Sequence, residues 1–216
     1  MDLTIENGEF FGLLGTNGAG KTTMIRILST LMLPTSGCVM ADGQRLTRNH
    51  VELKKKITVM TQEYTLRNDM SIEEILEYQG RLYRVPRQER QTRAVELMKL
   101  TGLYDHRKKL IRHLSGGMKR KVMLCRALLP KPEIILLDEP SLGLAPIIVE
   151  DIFKKIVQIN KENNTTILLV EQNSRLALNT ASRGYVLQNG EIALEGTSQE
   201  LLNDVRVQHA YLGVSG

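Results

Sequence analysis

One octapeptide constrains this chain more than any other stretch. Gly15-Thr16-Asn17-Gly18-Ala19-Gly20-Lys21-Thr22 satisfies the pattern G-x-x-x-x-G-K-[ST] at every specified position. Its glycines let the backbone curl so that successive N–H groups point inward, which makes a nest for phosphate oxygens. The apolar run Phe10–Leu14 precedes it as a short strand, and a helical pattern of Met24, Ile25, Ile27, Leu28 and Leu31 comes after it. A helix opening near Lys21 adds the positive end of its dipole. In that setting Lys21 neutralises charge on the outer phosphates of a nucleotide, and Thr22 offers a hydroxyl to Mg²⁺. With glycine at about 7% of residues, a random match in a chain this long is roughly a one-in-a-hundred event. The strand–loop–helix placement lowers that figure further.

The rest of the chain supplies the layers such a loop needs. The first helical pattern stops before Pro34-Thr35-Ser36-Gly37, and strand-like pieces at Cys38–Ala41 and Ile57–Thr61 begin an α/β layer. From Gln62 to Lys121 the pattern is helical, with no convincing strand. Ser71 with Glu74 fits a capping box opening one helix, and Pro86 and Gly102 punctuate the next two. The α/β pattern resumes with a buried-type strand at Glu133–Asp138. A helix over Ile147–Asn163 then places Ile148, Ile152, Ile156 and Ile159 on one face, with Glu150–Lys154 and Asp151–Lys155 as i,i+4 pairs. Thr165–Glu171 is another strand. Asn189-Gly190 between Tyr185–Leu187 and Ile192–Leu194 predicts a hairpin, and Thr197 with Glu200 caps a last helix. The 216 residues are therefore read as one domain: a core of 1–62 and 122–216, and a helical lobe of about 63–121.

Composition removes several classes of function. No apolar run approaches the roughly 18 residues of a membrane span, and Met1-Asp2-Leu3-Thr4 lacks a signal pattern. A cytoplasmic location is expected. Cys38 and Cys125 lie far apart in apolar settings and read as small buried thiols, not metal ligands. Much of the net charge of +5 lies between Arg81 and Lys121. The series Arg81, Arg84, Arg87, Arg90, Arg93 has period three and drifts around a helix. A solvated face explains it better than contact with lipid or nucleic acid.

Two more segments carry chemistry. Ile134-Ile135-Leu136-Leu137-Asp138-Glu139 is a buried strand delivering two acids to its C-terminal end, where ligands bind in α/β sheets. Asp138 can hold Mg²⁺, and Glu139 can position or deprotonate an attacking water. Leu114-Ser115-Gly116-Gly117-Met118, leading into a basic helix, forms a second phosphate-binding corner.

Together these segments resemble the ATPases of ABC transporters. Leu114–Met118 resembles the LSGGQ signature, with Met118 in place of Gln. Gln62 falls at the Q-loop, Ser141-Leu142-Gly143-Leu144 at the D-loop and Gln172 at the switch-histidine position. The resemblance covers nearly the whole chain. It implies a P-loop NTPase core with a mostly parallel sheet, an inserted helical lobe, and ATP and Mg²⁺ as ligands. Gly12–Arg126 is similar to ATPases of drug and polysaccharide export. From Asp138 onward the chain is similar to the branched-chain amino acid importer subunit LivF, through "DEPSLGLAPIIVEDIF", "VEQNSRLALNTASRGYVLQNGEIALEG" and the ending "AYLG".

The resemblance assigns roles by position. Gly15, Thr16, Asn17, Gly18, Ala19, Gly20, Lys21, Thr22 and Thr23 would hold the phosphates of one ATP. Ser115, Gly116, Gly117 and Met118 would close on the ATP of a second ATPase subunit, identical or related. Thr22, Gln62 and Asp138 would serve the metal. Lys21, Glu139 and Gln172 would serve hydrolysis, which would drive transmembrane permease subunits from the inner face of the membrane. No nucleic acid partner is expected, because non-transport members carry tandem ATPase domains or long coiled-coil insertions. Three departures stand out. Gln172 replaces a histidine and cannot become a cation. Ala145 stands where many D-loops place Asp; LivF resembles this chain at both positions. Relatives also begin with a strand pair bearing an aromatic residue that stacks on adenine. Here Phe10 and Phe11 belong to the core strand, so those N-terminal antiparallel strands are expected to be truncated.

Overall fold

The computed structural model describes residues 2–211. Its main sheet has six strands: β1 (Phe10–Leu14), β4 (Ile57–Met60), β5 (Ile134–Asp138), β6 (Thr166–Glu171), β7 (Arg183–Gln188) and β8 (Glu191–Thr197). Their order is β4-β5-β6-β1-β7-β8. Every neighbouring pair is parallel except β7–β8. A second, two-stranded sheet pairs β2 (Met40–Ala41) with β3 (Gln44–Arg45).

Alternation along the central strands explains why the sheet is covered on both faces. Phe10, Leu14, Ile135, Leu137, Ile167 and Leu169 enter one core cluster. Phe11, Leu13, Leu136, Leu168 and Val170 enter the other. The first is closed by α5 (Gly116–Leu128), α6 (Pro146–Asn163) and α7 (Ser174–Thr180). The second is closed by α1 (Lys21–Leu28) and α2 (Val51–Lys55). At the β8 edge only alternate residues are half-buried, as one covered face requires. The β7–β8 turn places Asn189 at φ 51 and Gly190 at φ 83, the pair of positive values a primed hairpin turn needs.

Between β4 and β5 lie α3 (Ile72–Leu82), α4 (Arg87–Leu100), 3-10 turns at Tyr104–His106 and Ile111–His113, and α5. Ser71 and Glu74 form the expected reciprocal box: Ser71 N–H donates to Glu74 Oε2 at 2.7 Å, and Glu74 N–H to Ser71 Oγ at 3.3 Å. The boundary at 121/122 falls inside α5, and Leu76 and Leu97 share a core cluster with Leu137 and Ile156. Lobe and sheet are joined by continuous packing.

Several expectations are corrected. The first helix ends at Leu28: Thr30 turns to φ 62 and Leu31 is 68% exposed. Cys38 is exposed, because its segment carries only the two-residue β2. Cys125 is buried as expected, and burial pushes its thiol up to about 12. The helix capped by Thr197 is α8 (Ser198–Asn203) and is not the last. Asp204 accepts from the N–H of Arg206 at 2.8 Å, and α9 (Val205–Tyr211) comes next. The "AYLG" ending runs beyond the described residues.

The arginine series is also less solvated than expected. Arg93 donates to the carbonyls of Leu128 and Leu129 at 2.8 and 3.0 Å, serving the C-terminal end of α5. Arg90 and Arg81 both bond Glu77, and the Arg90 bond holds the Glu77 carboxyl down at about 2, against an ordinary 4.5. A depressed carboxyl stabilises the fold above its ordinary pKa and loses that contribution as pH falls through the depressed value. Glu77 is partly solvated, so the pair is worth about 1 kcal/mol. Glu77→Gln is therefore expected to lower Tm by about 2–4 °C at pH 7. The gap between variant and parent should shrink as pH drops from 4.5 toward about 2; a gap independent of pH would remove the ion pair as its cause.

Candidate active site

Parallel strands end on the same side of a sheet, and four of them end in residues with candidate roles. β1 runs into Gly15, β4 into Thr61-Gln62, β5 ends at Asp138 before Glu139, and β6 ends at Glu171 before Gln172. β6 lies between β1 and β5, so Gln172 leaves the sheet between the loop and the acids.

The loop is shaped by close backbone approach. A Cβ at Gly15 would lie 2.5 Å from the Leu187 carbonyl oxygen. Gly20, the residue before α1, has φ 103, which a side chain would strain. Ala19 is buried and accepts from the Gly190 N–H at 3.0 Å, so the β7–β8 turn braces the loop from behind. Thr16, Asn17 and Gly18 face outward, as does Thr23. The buried Lys21 ammonium curls back to the carbonyls of Gly15 (2.8 Å) and Thr16 (3.0 Å), and lies 3.8 Å from Glu139 Oε1.

Asp138 and Glu139 are both buried. Burial raises the Asp138 carboxyl above the usual carboxylate range and the Glu139 charge adds to that. The Thr22 hydroxyl, Lys21 and Arg120 pull it down. Asp138 Oδ1 is buried and has no hydrogen-bond partner. An orphaned carboxylate oxygen next to a threonine hydroxyl is the hard-oxygen pair that fits Mg²⁺, whose remaining ligands are waters and substrate phosphates. Glu139 sits at φ 47, a left-handed conformation costing about 1–2 kcal/mol for a residue with a Cβ. Its N–H donates to the Val170 carbonyl at 2.8 Å, and its Oε2 accepts from Gln62 Nε2 at 3.2 Å. Gln62 is thus brought onto the carboxylate that faces Lys21.

Gln172 is exposed and lines an open 340 Å³ pocket with Glu139, Ser141, Leu142, Gly143, Glu171 and Asn173. Glu171 has no role in the sequence reading. It is buried, and accepts from both the N–H and the hydroxyl of Ser141 at 2.9 Å. Burial raises its carboxyl above the usual range. A signal for it exists, since Glu171-Gln172 ends a buried strand just as Asp138-Glu139 does. Arg120 is likewise hidden inside the basic run; it is among the largest fully buried side chains.

The second glycine corner is built as a helix start. Ser115 Oγ accepts from the Met118 N–H at 3.3 Å, and a Cβ on Gly117 would meet Ile148 at 3.1 Å. Ser115 and Gly116 are exposed. Among the described residues no hydrogen bond joins Ser115–Met118 to Gly15–Thr23.

Comparison with known proteins decides the family. The sequence profile described as ABC transporter matches residues 1–142. The chain belongs to the ABC transporter family. It is 35% identical over 219 residues to the high-affinity branched-chain amino acid transport ATP-binding protein BraG of Pseudomonas aeruginosa, covering 99% of this chain and 91% of BraG. It is 36% identical over 207 residues to the ABC transporter ATP-binding protein NatA of Bacillus subtilis, covering 95% and 84%. Its fold matches the dimeric ATP-binding cassette MJ0796, solved with ADP and Pi, at TM-score 0.82 and 30% identity, over 91% of this chain and 88% of that one. This ABC chain is an ATP-binding subunit and an ATP hydrolase.

Proposed function

We infer that the chain hydrolyses ATP at the interface of a nucleotide-binding-domain dimer and so drives transport through separate permease subunits. The carrying observation is the meeting of Lys21, Asp138, Glu139 and Gln62 at one sheet edge, while Ser115 and Gly116 face solvent and no hydrogen bond joins Ser115–Met118 to the loop among the described residues. A site with its phosphate loop in one place and its signature corner unengaged is half of a two-subunit site. Gly15–Thr23 bind the triphosphate, and Lys21 leaves its loop carbonyls for the outer phosphate oxygens. Thr22 and Asp138, with Gln62 nearby, would hold Mg²⁺, which would supply neutralisation of phosphate charge and polarisation of the reacting phosphorus. Glu139 takes the proton of the attacking water, and Gln172 orients that water or the γ-phosphate by hydrogen bonding. The nucleotide-binding core is 1–62 with 122–216, and the lobe of about 63–121 carries the signature.

Among the described residues no helix is long and apolar enough to cross a membrane. Attachment at the inner face of the membrane through permease subunits belongs to the same reading of the chain as a transport ATPase. A 290 Å³ groove lined by Leu31, Leu82, Tyr83 and Arg126 exposes Leu31 and Leu82, the kind of apolar surface a partner covers. The likeness to BraG over 99% of the chain supports branched-chain amino acid import. Export of drugs or polysaccharides is the second reading, supported by the resemblance carried by Gly12–Arg126. Adjacent genes for amino acid permeases would favour import, and a single multi-span permease export. The hydrolysis itself is tested with purified chain and ATP. Turnover is expected with Mg²⁺ and lost with EDTA; no turnover with Mg²⁺ would sink the assignment.

A further inference from the structure

Arg120 is only 1% exposed, and no carboxylate of the described residues lies within ion-pair distance of it. A buried cation without an anion is costly unless its N–H groups are bonded. Here they are, and every acceptor is a main-chain carbonyl. Nε donates to Pro140 at 3.0 Å. Nη1 donates to Thr61 at 3.1 Å and to Gln62 at 2.8 Å. Nη2 donates to Glu139. One guanidinium thus grips the two segments that present Gln62 and Glu139. Those two side chains then bond each other, which closes a ring: guanidinium, Gln62 backbone, Gln62 amide, Glu139 carboxylate, Glu139 backbone, guanidinium.

We propose that Arg120 is a positioning residue for ATP hydrolysis: it holds Glu139 and Gln62 in register with Lys21 and ties both to the helix that begins with the signature. The proposal rests on the reading of Glu139 as the reacting carboxylate. Glu139 keeps its left-handed backbone because both of its peptide groups are held, the N–H by Val170 and the carbonyl by Arg120. Releasing the carbonyl lets φ relax and swings the carboxylate away from Lys21. The link to the signature is short. Arg120 lies in α5, five residues beyond Ser115, and the Tyr64 ring lies 5.6 Å from its guanidinium carbon. The Tyr64 hydroxyl donates to the Gly116 carbonyl at 3.3 Å. Movement of Ser115–Met118 on a partner's nucleotide is therefore transmitted to Glu139 through a rigid helix and a planar fork. Lysine cannot replace it, since an ammonium is a point charge with three donors and no fork.

The test uses the full chain with Arg120→Gln and Arg120→Lys, beside the parent and Glu139→Gln. Four quantities are read: kcat with Mg²⁺–ATP, ATP Kd in EDTA, Tm, and hydrogen exchange of the 138–144 segment. Displacing a reacting group by about 1 Å costs about 10²-fold, so kcat should fall by about 10–100-fold in both variants. ATP Kd should stay within about twofold, and faster exchange should be confined to 138–144. Parental kcat, or a loss of kcat matched by an equal loss of ATP affinity, overturns the proposal. Should both variants fail to fold, Tyr64→Ala decides, because Tyr64 is exposed and its loss removes the ring and the bond to Gly116. A kcat reduced at least about threefold at unchanged Kd supports the proposal, and parental kcat overturns it. A parent chain without Mg²⁺-dependent turnover overturns the hydrolysis reading and this one with it. An active parent, an inactive Glu139→Gln and unimpaired Arg120 variants overturn this one alone.

Discussion

Glu139→Gln is expected to cut ATP turnover by about 10²–10⁴-fold, the range for losing a positioned proton acceptor. ATP binding should stay near the parent's. The substitution keeps the shape of the side chain and an oxygen that can accept from Gln62, now 3.2 Å from Glu139 Oε2. It removes the basic oxygen that faces Lys21 at 3.8 Å. In the proposed reading binding rests on Gly15–Thr22, the loop after β1 and the start of α1, away from the β5 strand that carries Glu139, so kcat should fall while ATP Kd moves little. Single-turnover hydrolysis separates the two. A Gln variant turning over within tenfold of the parent would take proton transfer away from Glu139.

Lys21→Ala is expected to fail earlier, at the triphosphate itself. The ammonium now bonds the loop carbonyls of Gly15 and Thr16, and in the proposed reading phosphate oxygens would take their place when nucleotide binds. A hydrogen bond to a charged group is worth about 1.5–3 kcal/mol. Losing two lowers kcat/KM by about 10²–10⁴-fold. The variant should also carry a pH signature without nucleotide. Asp138 is already raised by burial, and Lys21 is among the charges pulling it down. Without Lys21 the carboxyl rises further. A carboxyl raised in the folded state binds its proton there more tightly than in the unfolded chain, so stability falls as pH rises through the ordinary value toward the raised one. Relative to the parent, Lys21→Ala should lose more Tm at pH 8 than at pH 5. A pH-independent difference would contradict the coupling of Lys21 to Asp138.

The parts of the site that are legible in the sequence are those written contiguously. The phosphate loop, the Asp138-Glu139 strand end, both capping boxes and the Asn189-Gly190 hairpin each depend on residues within a few positions of one another, and each forms. The features that do not show depend on distant partners. The first helix carries an apolar pattern through Leu31, yet the chain turns at Thr30, where the Arg48 side chain takes the carbonyls of Thr30 and Leu31 at 3.3 and 3.2 Å. Arg93, read as solvated, answers carbonyls 35 and 36 positions away. Arg120 and Glu171 meet partners up to 59 and 30 positions away. Nothing in a run of basic residues marks which guanidinium points inward. Glu171 differs in kind, because its placement at the end of a buried strand is visible and only its burial partner is not. The exposure of Cys38 obeys the same rule, since an apolar neighbourhood in sequence became a two-residue strand with little above it.

The hairpin turn at Asn189-Gly190 has a practical consequence. Tips of this kind, polar and glycine-containing, are ordinarily where an affinity tag, a fluorescent reporter or a circular permutation is tolerated. In this molecule the Gly190 amide is bonded to Ala19, and the Leu187 carbonyl fills the space beside Gly15. A label inserted there would be grafted onto the back wall of the loop proposed to cradle the triphosphate. The surface position that looks most permissive to a protein engineer is one of the least neutral for nucleotide chemistry.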